Sequence, residues 1–222
     1  MIFENAKDIQ TPQGRIKQIK NSQGNILWSV VPEEFRLCQY IQSSGTQYID
    51  TGIKLNYSAA KITQVATAQY TASNASRELM GANGWGFWGK SASNKLEAPA
   101  IWTSQITESA LSKNTVSLTT VPGSLSIVFS VNSKKYTGTA SSFPDNNYAC
   151  YVFAIGGKNG AAALFFCNAR VYEYIISFND EVVSHLLPAK RLSDGEPGMY
   201  DIVARKFLVN AGTGTFVMGQ EL

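Results

Sequence analysis

Tyr40-Ile41-Gln42-Ser43-Ser44-Gly45-Thr46-Gln47-Tyr48-Ile49-Asp50-Thr51-Gly52 decides the reading of the fold. It is answered near the other end by Gly198-Met199-Tyr200-Asp201 and Asn210-Ala211-Gly212-Thr213-Gly214-Thr215-Phe216. Thr46, Tyr48 and Asp50 alternate with Gln47, Ile49 and Thr51, the period of a strand with one set of side chains turned inward. Gly45 and Gly52 bracket that strand as turn residues that tolerate positive φ. Asp50 is placed to accept hydrogen bonds from the backbone of the Thr51-Gly52 turn, and Gly212 and Gly214 let the last strand turn closely before Phe216 enters the core. These are structural roles, and none of these residues is assigned a ligand.

The rest of the composition agrees with a single all-β domain. At 222 residues the chain can bury roughly 70–75% of its unfolded surface without a second core. Eighteen Gly and ten Tyr, with many Ser, Thr, Asn and Val, favour pleated, half-buried surfaces joined by tight turns. No apolar run reaches the length that spans a bilayer. The net charge of +3 comes partly from Arg15, Lys17 and Lys20 and from Lys190, Arg191, Arg205 and Lys206, with no dense basic tract interleaved with aromatics. Neither nucleic acid nor membrane is expected as a partner. The three cysteines, at 38, 150 and 167, lack the close spacing of metal or redox motifs. Cys150 and Cys167 lie in apolar runs, and a disulfide between them requires those runs to pair.

The two end motifs resemble the opening and closing strands of laminin-G-like, concanavalin A-type sandwich domains of bacteriophage tail and virion proteins. In that family the first and last strands lie side by side, so the resemblance implies an antiparallel jelly-roll β-sandwich over residues 34–222. Related chains commonly carry an Arg-Asp-Phe-Ile-Pro-Cys-like segment after the penultimate long strand. Here Ser184-His185-Leu186-Leu187-Pro188-Ala189 keeps the apolar pair and the proline without the charges and the Cys. Residues 1–33 form a leader. Arg15 to Lys20 and Asn25 to Val31 flank Asn21-Ser22-Gln23-Gly24 as in a small N-terminal β-hairpin, and Gly14 to Trp28 resembles a short leader that recurs ahead of domains in phage tail proteins. Two readings stand for it: attachment to other virion proteins or oligomerisation, and simple cover for one edge of the sandwich. The first ten residues lack the apolar core of a secretory signal, which fits a virion protein made in the host cytoplasm.

From Phe35 onward short runs spaced by turns predict a succession of strands, with Asn132-Ser133 as a hairpin turn. Only Asp180 to Leu187 has helical spacing, bounded by Pro188. The sixteen acids include no tight Glu-x-Asp-x-x-Glu arrangement; Glu78, Glu97, Glu108 and Glu173 stand alone in sequence. The sole histidine, His185, has no visible Ser or Cys partner motif. No catalytic residue, cofactor or metal site is expected. Asp145-Asn146-Asn147 reads as a polar turn after Pro144 in preference to a calcium loop.

Recognition is expected from aromatics, because saccharide sites pair Trp or Tyr platforms with Asn, Asp and Gln. In Gly81-Ala82-Asn83-Gly84-Trp85-Gly86-Phe87-Trp88-Gly89, strand alternation puts Trp85 and Phe87 on one face and Trp88 on the other, so that not all are core. A glycan site is sought first at Asn83, Trp85, Trp88 and Trp102, then at Asp145, Asn147, Tyr148 and Asn159. The combined expectation is a non-enzymatic virion protein of a tail fibre, baseplate or surface decoration. It would bind a host-surface glycan through sandwich loops and assemble as a homo-oligomer such as a trimer. A purely structural decoration module and a glycoside hydrolase with dispersed carboxylates are the alternatives.

Overall fold

The computed structural model describes residues 9–11, 14–72, 77–82, 85–90, 93–98, 106–143, 149–156, 163 and 165–222. Among them no helix occurs, and every pairing between strands is antiparallel. The largest sheet has eleven strands. Along its main path run Lys134–Thr139, Ser126–Val131, Asn114–Thr120, Ile62–Tyr70, Asn168–Phe178, Glu181–Arg191, Pro197–Asp201 and Lys206–Leu208, with Phe35–Leu37, Ile41–Ser44 and Val217–Met218 joined off that path. A four-stranded sheet orders Trp85–Gly86, Met80–Ala82, Ala149–Val152 and Ile49–Lys54, and a three-stranded one orders Leu96–Glu97, Gly89–Lys90 and Arg77–Glu78.

The strand Ile62–Tyr70 shows why the large sheet has an inside. Its residues alternate buried and half-buried along the whole length, as the period-two pleat demands. One buried cluster joins Ile62, Ala66, Leu118, Phe129 and Ile176 of the large sheet to Ile49, Met80 and Val152 of the four-stranded sheet, so the core lies between two layers. This two-layer, all-antiparallel arrangement is consistent with a β-sandwich.

The two end motifs meet. Val217–Met218 pairs with Ile41–Ser44, and side chains tie the neighbouring loops together. The Thr46 hydroxyl donates to the Thr213 carbonyl (2.9 Å), the Tyr48 amide donates to Asn210 Oδ1 (3.1 Å), and the Ala211 amide donates to the Tyr48 carbonyl (2.9 Å). Gly212 is required by close approach: a Cβ there would stand 2.1 Å from the Thr46 carbonyl oxygen. Gly45 and Gly52 both have positive φ, and the Gly52 amide donates to Asp50 Oδ1 (2.8 Å), as the sequence predicts. Asp201 is buried; it accepts the Ser184 hydroxyl (2.6 Å) and the amides of His185, Val203 and Ala204, which fixes the turn after Pro197–Asp201.

Two expectations are corrected. The segment 180–187 is no helix; Asp180 is a turn residue and 181–187 belong to the strand Glu181–Arg191. Asn179 and Asp180 both have positive φ (50° and 68°), the signature of a two-residue hairpin turn whose twist suits the flanking strands. The strand is buried on both faces from Ser184 to Ala189, so no alternation marks it in the sequence. Leu186 faces the main core, while Leu187 and Ala189 join a second cluster with Val31, Leu37 and Tyr200. Pro188 is tolerated because the strand exchanges partners there. The Cys38 amide still donates to the Pro188 carbonyl (2.9 Å), and only the reciprocal bond is lost.

The second correction concerns the aromatic hairpin. The strand segments 77–82 and 85–90 form a hairpin that bends at Leu79 and at Phe87-Trp88, where it passes between the two smaller sheets. Alternation fails at the bend. Phe87 meets Phe129 and Tyr174 while Trp88 meets Tyr70, all residues of the large sheet, and both rings are fully buried.

The second hairpin of the leader, Gln18–Lys20 with Ile26–Ser29, leads into buried Trp28 and Val31. Phe35, just beyond, packs in tilted contact with Tyr200 (5.0 Å between ring centroids) and Phe207 (4.9 Å), covering the outer side of the large sheet. None of the three cysteines is joined in a disulfide, and all three are buried.

Candidate functional site

Of the residues expected to hold a glycan, Asn83, Trp102, Asp145, Asn147, Tyr148 and Asn159 lie outside the described residues. Trp85 pairs with Ala82 in the backbone ladder, and Trp88 is wholly buried against Tyr70, so it offers no exposed face to a sugar.

A groove of about 660 Å³ opens instead on the outer face of the large sheet, within the size range of small-ligand sites. Its floor comes from three neighbouring strands. Thr115 and Thr67 are register partners, and Thr67 in turn faces Glu173. The two threonine hydroxyls share one hydrogen bond of 2.9 Å, which leaves each with further capacity. Asn168–Phe178 carries a β-bulge between Val171 and Glu173. Tyr172 is the extra residue, so Tyr172 and Glu173 are both only half-buried while Val171 and Tyr174 on either side remain in the core. A regular strand would hide one of the pair.

The Tyr172 ring is fixed from several directions. Its hydroxyl donates to Gln69 Oε1 (3.2 Å), and Gln69 is itself anchored by its amide to the Leu111 carbonyl (2.7 Å). The edge of Tyr40 meets it at 5.6 Å, and Lys113 Nζ stands 4.0 Å from its centroid. Glu173 is bound by His185 Nε2 at 2.7 Å and by Lys17 of the leader at 3.3 Å. Burial alone would push the Glu173 carboxyl up, but His185 and Lys17 outweigh it and hold the group below the usual carboxylate range. Gln39, Leu187, Pro188 and Leu222 complete the walls. An aromatic ring beside hydroxyls, an amide and an ammonium is the donor set that saccharides require. Nothing in the sequence marks these residues out, because a bulge leaves no compositional trace.

A second cluster lies on the three-stranded sheet. Glu78 and Glu97, nineteen positions apart and isolated in sequence, are both register partners of Gly89 and so flank it on one face. A Cβ at Gly89 would stand 3.0 Å from Glu78 Oε2, so the carboxyl occupies the room that the glycine leaves. Burial, and then the charge of Glu97, push the Glu78 carboxyl up to about 7. Among the described residues no three His, Cys, Asp or Glu side chains converge as metal ligands would. No protein-family model matches the chain, and no curated protein matches it either.

Proposed function

We propose that the chain is a non-enzymatic carbohydrate-binding protein of a phage virion, built as a concanavalin A-like jelly roll. The observation that supports the reading best is the groove around Tyr172, where one aromatic ring, two threonine hydroxyls and Lys113 line a space of saccharide size. The virion setting, and the use of the leader to reach other virion proteins, rest on the resemblance of the end motifs and of Gly14 to Trp28. A single shallow site of this kind binds weakly, and repetition in a homo-oligomer such as a trimer supplies avidity. The experiment is a glycan array of host cell-wall and capsule saccharides probed with the wild type and with Tyr172→Ala. Binding that disappears in the folded variant supports the reading. Absence of binding to every saccharide leaves the structural decoration role.

Glu78 and Glu97 favour a second reading, because glycosidases use one protonated and one ionised carboxyl across the scissile bond. Release of reducing sugar from the same saccharides, abolished in both Glu78→Gln and Glu97→Gln, would establish hydrolysis.

A further inference from the structure

We infer that the groove takes an acidic saccharide, a sugar unit bearing a carboxylate or phosphate, with Lys113 as its charge contact. The inference rests on the groove being a saccharide site and adds the chemical class of the sugar.

The charges that line the groove are unequal in what they have left to offer. Glu173 is held by His185 and Lys17, and Lys17 is thereby engaged as well. The Cys38 thiol, pushed up to about 11 by burial and then by Glu221, contributes no negative charge at neutral pH. Lys113 is exposed; among the described residues it makes no ion pair, and its ammonium lies over the face of Tyr172. A cation over a half-buried tyrosine at the surface is held weakly, and the four-carbon stem lets the ammonium move toward an incoming anion without leaving the ring.

Lys113 also stands where such a contact is useful. It stands just ahead of the strand Asn114–Thr120 and lines the same groove as Thr115. The Thr115–Thr67 hydroxyl pair beside it can donate to and accept from sugar hydroxyls. An anionic sugar therefore finds the Lys113 charge at one end of the groove and the threonine hydroxyls on its floor, beside a Glu173 carboxylate already paired with Lys17 and His185. A neutral sugar finds only the hydroxyls and the ring.

The test is calorimetric titration of the full chain, at low and at physiological salt, with three probes: a galacturonic acid trisaccharide, the matching galactose trisaccharide and that galactose trisaccharide carrying 6-phosphates. Wild type is compared with Lys113→Gln and Lys113→Arg, both surface changes that leave the core intact. The acidic trisaccharide should bind more tightly than the neutral one. Lys113→Gln should weaken it about fivefold, as for one exposed charge-assisted contact, with a shallower salt dependence, and Lys113→Arg should retain binding. If the phosphorylated trisaccharide shows this dependence and the uronate does not, the anion is a phosphate. Equal affinity for acidic and neutral trisaccharides, unchanged in Lys113→Gln, overturns the inference and leaves saccharide binding standing. No heat with any probe, from a protein that melts cooperatively, overturns the inference, and the saccharide reading is then decided by the glycan array.

Discussion

Replacing Glu78 by Gln should stabilise the protein, and only above a particular pH. In the fold the Glu78 carboxyl is pushed from 4.5 to about 7 by burial and by Glu97, so the folded chain holds a proton that the unfolded chain releases. Stability from that proton is complete below about pH 4.5 and is lost as the pH rises through 7. With about 1.4 kcal/mol for each tenfold difference in proton affinity, the loss is on the order of 3 kcal/mol. Gln keeps the shape and carries no charge at any pH. The variant should therefore match the wild type near pH 4 and exceed it by up to roughly 3 kcal/mol at pH 8. Urea unfolding of both proteins at half-unit intervals from pH 4 to 8 measures the difference directly, and the comparison cancels every other titrating group. A difference that stays constant across this range, or a variant less stable at pH 8, would refute the account of Glu78. Glu97→Gln supplies a second check, since removing the neighbouring charge should move the wild-type decline to higher stability at neutral pH without abolishing it.

Trp88→Ala should cost about 3–5 kcal/mol, as for other large buried rings, and thermal melting will show whether any loss of ligand binding in that variant is merely loss of fold. Gly212→Ala drives a methyl group into the Thr46 carbonyl and should lower stability by about 1–3 kcal/mol, with hydrogen exchange accelerating first at residues 46–48 and 210–215. Tyr174→Phe removes a buried hydroxyl that bonds Gln64 and Cys150, and should cost about 1–3 kcal/mol in denaturant unfolding through the groups left unpaired.

The parts of the fold legible in the sequence were those set by local chemistry. Asn132-Ser133 turns between strands that pair Val131 with Lys134, as a hairpin turn there requires. Gly45, Gly52 and Gly212 act as their lack of a side chain implied. The strand Glu181–Arg191 was misread for a physical reason: from Ser184 to Ala189 it is covered on both faces and has no period, and with exposed Val182 and half-buried Val183 ahead of them Leu186 and Leu187 imitate a helical stripe. Trp88 was misplaced because alternation holds only while a strand stays straight. The acid pair across Gly89 and the bulge at Tyr172 arise from register between distant strands, which a single sequence does not encode locally. The groove was accordingly invisible until the strands were assembled.

The lock between the two end motifs also sets a clock. The bond from Thr46 to Thr213 spans 167 residues, and a ribosome adding about 5–20 residues per second needs roughly 10–30 s to supply the second partner after the first has emerged. During that interval the loop that carries Thr46, Gln47 and Tyr48 has no closing segment to meet. The nascent chain therefore completes its sheet late, and its exposure to chaperones or to pairing with a neighbouring copy is concentrated in the time before residues 210–218 appear.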